Sequence, residues 1–249
     1  MKILHLDIET MPHLVWGFGL FDQNFSLDQV KEPGWVACFS AKWHHQKKVQ
    51  FFSEYHEGGR PAMIQKAFDL LDEADVLVTF NGDSFDIKHL NWEFHQAGLG
   101  EPAPSVSVDL RKTVRQRFRP MSGKLQHIVQ QLDIGTKVDH DGFPLWRGWM
   151  EGDPRHIRLM EKYAKRDTAL LQPLYEGLLP WIHNHPNRAL FSDEPSDEPA
   201  CNRCGATDLE KRGFTYTTTA KRQRYQCKGC GGWLTSGKAI RRVDLRGTK

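Results

Sequence analysis

The sequence predicts an α/β fold, a mixed β-sheet with helices on both faces, followed by a small metal-stapled module. Three observations carry this. Short apolar runs that read as buried strands alternate with amphipathic helical stripes through residues 1–183. A stretch rich in Pro, Asp, Glu and Ser without periodicity, residues 184–200, reads as a flexible acidic linker. Residues 201–249 are too few for a conventional core, yet contain two C-x2-C pairs, so a metal has to supply what packing cannot.

Residues 3–8 form an apolar run closed by acidic side chains, as expected of a buried central strand. WVACFSAKW (35–43) and KVQFFSEY (48–55), separated by the polar HHQK, read as a hairpin that continues the sheet. Residues 61–74 place Ile64, Ala67, Phe68 and Leu71 on one helical face, and VLVTF (76–80) is a second buried strand. From Asp86 a new stripe of Ile87, Leu90, Phe94 and Ala97 predicts a helix stopped by Gly98 and Gly100. VSVDL (106–110) is a further strand. Ser122 is the expected cap of a helix bearing Leu125, Ile128, Val129 and Leu132. Residues 157–179 give a last long helix, with a break expected near Pro173. Cys38 lies in an apolar strand and reads as a core residue.

Composition excludes some classes of function. The chain of 249 residues is 39% hydrophobic and 26% charged, an ordinary globular balance. Its apolar stretches fall far short of the roughly 18 residues of a spanning helix, and MKILHLDIET reaches charge too early for a secretory signal. A cytoplasmic protein is expected, in the host cytoplasm if the source is viral. Charge is unevenly placed: residues 201–249 hold 12 Lys+Arg against 3 Asp+Glu, whereas residues 1–200 are net acidic. A basic module on an acidic body suits binding to a polyanion, because neutralising phosphates gives affinity independent of sequence.

Three segments carry chemistry. In LHLDIET, Asp7 and Glu9 stand two apart, so both carboxylates leave the same face of a strand near its C-terminal end. Two such charges repel unless a cation lies between them, and hard oxygen ligands suit a divalent ion. In FNGDSFD, Asp86 opens a helix directly after a strand, at the carboxyl edge of a sheet where active-site groups collect. Asp83 in the same turn is the competing candidate, with a turn-forming role as its ordinary explanation. In YAKRDTALL, Tyr163 and Asp167 lie four apart on one helical face. Taken alone, that pair reads as a packed Tyr and an exposed Asp paired with Lys162 or Lys165.

The order of these segments resembles the DEDD superfamily of 3′-to-5′ exonucleases, which have the ribonuclease H-like fold. The likeness is to the tyrosine branch typified by proofreading domains of family B DNA polymerases. Asp7 and Glu9 match the first motif, Asn81, Phe85 and Asp86 the second as N-x3-F-D, and Tyr163 with Asp167 the third as Y-x3-D, within residues 1–182. The resemblance implies hydrolysis with two Mg2+ or Mn2+ ions. Asp7, Glu9 and Asp167 would hold one ion, and Asp7 with Asp86 the second, while Tyr163 orients the attacking water. Asn81 and Phe85 are carried as substrate-binding candidates; the ordinary alternatives are a turn-closing Asn and a core-anchoring Phe. Arg111, Arg115 and Arg119 share a helical spacing that could track phosphates, or form a solvated basic face. The histidines lack ligand spacing, and none is assigned a catalytic role.

Cys201, Cys204, Cys227 and Cys230, in CNRCG and CKGCG, have the spacing of a structural Zn2+ site without an open position. Residues 214–227 between the pairs read as a basic β-hairpin, and the whole resembles a zinc ribbon. The expected protein is a free-standing 3′-5′ exonuclease of phage-like layout acting in replication or repair. Its substrate is expected to be single-stranded DNA or a DNA 3′ end. With no polymerase region following, a polymerase or other replication or repair protein would be a partner in trans. An RNA-processing exonuclease and a non-catalytic nucleic-acid or protein adaptor are the alternatives.

Overall fold

In a computed structural model of the protein, residues 1–191 and 198–244 are described; residues 192–197 of the expected linker and 245–249 of the basic tail lie outside them. Two compact units are present, Lys2–Leu174 and Tyr175 onward.

The first unit holds β1 (Ile3–Thr10), β2 (Leu14–Val15), β3 (Val30–Glu32), β4 (Val36–Trp43), β5 (Gln50–Ser53), β6 (Val76–Thr79) and β7 (Val106–Asp109). Its helices are α1 (Gly59–Glu73), α2 (Asp86–Gln96), α3 (Leu110–Arg117), α4 (Leu125–Gln131), α5 (Phe143–Met150) and most of α6 (Pro154–Leu178). Five strands form one mixed sheet in the order β5-β4-β1-β6-β7. Strand β1 is central, antiparallel to β4 and parallel to β6, while β2 and β3 pair separately.

Alternation along β1 divides the sheet chemically. Leu4, Leu6 and Ile8 face one way and are buried with Phe39, Ala41, Ile64, Ala67, Leu71, Leu90 and Phe94, the side covered by α1 and α2. His5, Asp7 and Glu9 face the other way, toward α6. That helix is pinned to β4 because Ser40 Oγ donates to the Ala164 carbonyl at 2.8 Å and lies 2.6 Å from Thr168 Oγ1. Glu54 ties the hairpin to α5, one carboxylate oxygen accepting from Trp149 Nε1 at 2.7 Å and the other from Trp35 Nε1 at 2.8 Å. Cys38 is fully buried, as its strand position required.

Some expectations are corrected. Helix α4 starts after Lys124 rather than being capped by Ser122, whose Oγ instead accepts a long bond from the Lys124 N–H at 3.3 Å. Helix α6 runs unbroken through Pro173. Proline removes one N–H from the helical ladder, but Leu170, Leu171 and Leu174 on either side are buried, and that packing outweighs the lost bond. Helix α5 had no counterpart in the sequence reading.

In the second unit, β8 (Leu209–Tyr216), β9 (Ala220–Cys227) and β10 (Trp233–Arg242) form an antiparallel sheet in the order β10-β9-β8. The expected hairpin is β8-β9, and β10 adds a third strand. Among the described residues no helix is long and apolar enough to cross a membrane.

Candidate functional site

The sheet presents its acidic face where β1 outruns its parallel neighbour. Pairing with β6 covers only Ile3–His5, so the segment bearing Asp7 and Glu9 continues past the end of β6. The peptide between those two acids does not lose its hydrogen bond. Asp86, first residue of α2, accepts from the Ile8 N–H at 3.0 Å through Oδ1. The third carboxylate is thereby fixed beside the first two.

Helix α6 brings the fourth. Carboxylate oxygens of Asp7, Glu9 and Asp167 lie within 4.8 Å of one another. Asp167 is buried and does not form the exposed pair with Lys162 or Lys165 that the isolated segment suggested; Lys165 bonds Glu161 instead. Tyr163, one turn earlier, is also buried.

Gathering four carboxylates in one cleft, Asp86 and Asp167 buried and Asp7 and Glu9 partly so, disfavours their ionisation. Burial, then the charges of Asp86, Glu9 and Asp167, push Asp7 well above the usual carboxylate range. Burial and Asp167 raise Glu9 from 4.5 to about 8, and burial raises Asp86 from 3.8 to about 7 despite the Ile8 N–H. Burial also raises Asp167, against the pull of Lys137 and a hydrogen bond from Tyr163. One oxygen of Asp167, Oδ1, is buried without a hydrogen-bond partner. A buried anionic oxygen left bare beside three other carboxylates fits a cation site, and an all-oxygen donor set fits Mg2+ or Mn2+.

Lys137, from the loop between α4 and α5, is the residue sequence reasoning missed. Its ammonium pairs with Asp167 Oδ2 and donates to the Tyr163 hydroxyl at 3.0 Å. Burial alone would lower it, but Asp167 and Tyr163 hold it above the ordinary lysine value. Nothing in GTKVDHDG announces this, because the contact depends on how a loop folds back. His140 from the same loop packs edge-on against Tyr163, ring centroids 4.9 Å apart. Burial, then Glu9 and Asp167, raise the Tyr163 phenol, so it stays protonated in the physiological range.

The second-motif turn has its own supports. Asn81 takes a left-handed backbone, φ 78°, which Asn tolerates better than most residues. Its N–H donates to Asp109 Oδ1 at 3.0 Å, and its side-chain oxygen accepts from Arg111 Nη1 at 2.6 Å and Ser84 Oγ at 2.8 Å. Asn81 and Arg111 line a cleft of about 370 Å³ that also includes Asp7, Lys124, Lys137 and Asp167. Arg115 is exposed on α3, and the helix ends at Arg117, short of Arg119. Asp83 is turned to Ser107 and Lys112, a structural anchor rather than part of the cage. Phe85 is not a core anchor. It is 37% exposed and stacks edgewise on His89, centroids 4.6 Å apart, because it sits at the helix cap rather than on the buried stripe.

In the ribbon the four thiols gather as their spacing predicts. Cys201 and Cys230 sulfurs are 3.7 Å apart and Cys204 and Cys227 sulfurs 3.5 Å apart. A tetrahedron with Zn–S near 2.3 Å has edges of about 3.8 Å, so the donor set fits zinc without rearrangement. Burial opposes ionisation of Cys201, yet N–H groups of Cys204 and Arg203 and the neighbouring thiols bring its thiol below the ordinary value.

Comparison with known proteins places these observations. Residues 4–179 match the model of the RNase_H superfamily. Among solved structures the chain is similar to the family B DNA polymerase from the hyperthermophilic archaeon Pyrobaculum calidifontis, at 20% identity and a TM-score of 0.55. The match covers 72% of this chain and 24% of the polymerase, so this chain spans about a quarter of that protein's length and the likeness is one of fold.

Proposed function

The chain belongs to the RNase_H superfamily, and from that premise we propose that it is a metal-dependent 3′-to-5′ exonuclease that removes nucleotides from single-stranded DNA. Residues 1–183 are the nuclease domain and 201–249 a zinc ribbon that engages nucleic acid; the segment from 184 to 191 is not the flexible linker its composition suggested, because His185 is buried against the Tyr175 hydroxyl and Arg188–Phe191 form a short 3-10 helix. The observation that carries this reading is the cage itself: Asp7, Glu9 and Asp167 oxygens within 4.8 Å, a bare Asp167 Oδ1, and Asp86 locked alongside.

Asp7, Glu9 and Asp167 would hold one Mg2+ or Mn2+ ion, and Asp7 with Asp86 would hold a second. When bound, such ions activate water for attack and stabilise charge on the leaving oxygen. The chain's own groups do the rest. Tyr163 stays protonated, so it acts by hydrogen bonding and not as a base. Its oxygen accepts from Lys137 and its O–H is directed at Asp167, so the phenol is held in place at the cage. Asn81 and Arg111, already bonded to each other, offer amide and guanidinium donors at the cleft wall for the strand's phosphates. Phe85, half out of the protein, is available to a base.

The test is digestion of 5′-labelled and 3′-labelled single-stranded DNA and matched RNA with Mg2+ or Mn2+, beside Asp7→Ala. The expected result is a ladder of shortening 5′-labelled products, immediate release of 3′ label as mononucleotide, and no cleavage by the variant. Preference for the ribose strand would reassign the substrate to RNA. Equal degradation by wild type and Asp7→Ala, or none by either, would sink the reading.

A further inference from the structure

The ribbon's sheet carries more aromatic surface than a zinc-held module needs. Phe214 and Tyr216 on β8 are 38% and 69% exposed, although the module's own order can rest on four thiolates. Register places both on one face. Phe214 pairs with Gln223 and Tyr216 with Lys221, cross-strand partners share a face, and β10 continues the row with Arg241 opposite Lys221. The Lys221 ammonium lies 3.9 Å from the centre of the Phe214 ring and 5.8 Å from that of Tyr216. Two open rings therefore flank one cation, with a second cation in line, on a segment holding 12 Lys+Arg against 3 Asp+Glu.

We propose that this face, built from Phe214, Tyr216, Lys221 and Arg241, is a base-stacking platform for single-stranded nucleic acid. The proposal deepens the nucleic-acid role given to the ribbon above and rests on it. Charge complementarity selects a polyanion, and the rings select one with exposed bases. Spacing selects a single strand. Residues two apart on a strand stand about 6.8 Å apart, about twice the 3.4 Å rise of stacked bases. Using both rings thus needs a stretched strand with its bases unstacked, which a duplex does not offer. A base arriving on Phe214 takes the place of the Lys221 ammonium over the ring and releases it to a phosphate.

The test uses the full chain, zinc-loaded, carrying Asp7→Ala so that the strand is not consumed. Anisotropy of labelled dT30, U30 and a 30-base-pair duplex is read across a salt series. Adding Phe214→Ala and Tyr216→Ala should weaken single-strand binding about 10-fold or more with an unchanged salt slope. Adding Lys221→Gln instead should flatten that slope by about 0.7. Zinc content should stay at wild type in each. If the alanine pair releases zinc, Phe214→Leu with Tyr216→Leu keeps the strand packing and gives the same reading. Unchanged single-strand affinity in a zinc-loaded double variant, or a duplex bound as tightly as dT30, overturns the platform and leaves the face to a protein partner. Because binding is read in a background without catalysis, failure of hydrolysis and failure of the platform are separate results.

Discussion

Replacing Glu9 with Gln should stabilise the nuclease unit while abolishing its activity, and the size of the gain can be worked from the cage. In the unfolded chain Glu9 titrates near 4.5; in the fold, burial and Asp167 raise it to about 8. A raised folded value in an acid means that stability is fully present below pH 4.5 and falls as pH rises, the loss being complete above about pH 8. At about 1.4 kcal/mol per unit the full penalty is several kcal/mol, and because Glu9 is only partly buried by surface area we take on the order of 2–4 kcal/mol. For a unit of this size that corresponds to roughly 5–15 °C in melting temperature. The assay is calorimetric melting of wild type and Glu9→Gln in buffer freed of Mg2+ and Mn2+, with zinc left in place because strong chelators would strip the ribbon. At pH 8.5 the variant should melt well above wild type; at pH 4, below the unfolded value, the two should nearly coincide. Adding Mn2+ at pH 8.5 should recover about 2.7 kcal/mol in wild type at 100 times its Kd, and much less in the variant. A wild type that melts no lower than Glu9→Gln at pH 8.5 would refute the idea that the carboxylates are held together against their own repulsion.

Three further outcomes follow from other parts of the molecule. Gly82→Ala would drive a Cβ into the side chain of Thr79, in the turn that aims Asp86; it should cost about 1–3 kcal/mol by melting and lower kcat more than KM rises. Lys137→Met should leave the fold intact but free the Tyr163 phenol, reducing kcat about 10- to 100-fold, with Lys137→Arg restoring part of it in steady-state assays on a short oligonucleotide. Cys227→Ser should take the zinc content measured by elemental analysis from one to below detection and remove the ribbon's melting transition, while cleavage of short oligonucleotides persists.

Much of this was legible because strand and helix periods put chemistry on predictable faces. Asp7 and Glu9 share a face because they are two apart on a strand, and Tyr163 and Asp167 because they are four apart on a helix. The zinc thiols follow from spacing in the same way. What escaped depends on contacts between distant segments. Lys137 reaches Asp167 across 30 positions of sequence from a loop with no period to read. The exposure of Phe85 follows from its place at the cap of α2, before the buried stripe of that helix begins. Pro173 leaves α6 unbroken because buried leucines on either side, not the local backbone rule, decide the outcome. Helix α5, FPLWRGWM, is too short and too uniformly apolar to show a stripe; the fold buries its Leu145 and Trp149 and ties Trp149 to Glu54.

The bond from the Ile8 N–H to Asp86 lets one side chain serve both the architecture and the chemistry proposed for the cage. Its accepting oxygen is one that asparagine also has. Exchange of Asp86 for Asn would keep the strand's partner and remove a repelling charge, so the protein would lose its cutting power without losing its shape. A lineage drifting from enzyme to scaffold could take that step in a single substitution, invisible to any selection for folding. The same exchange offers the experimenter a separation-of-function allele: a chain that holds its substrate and cannot release it by cleavage.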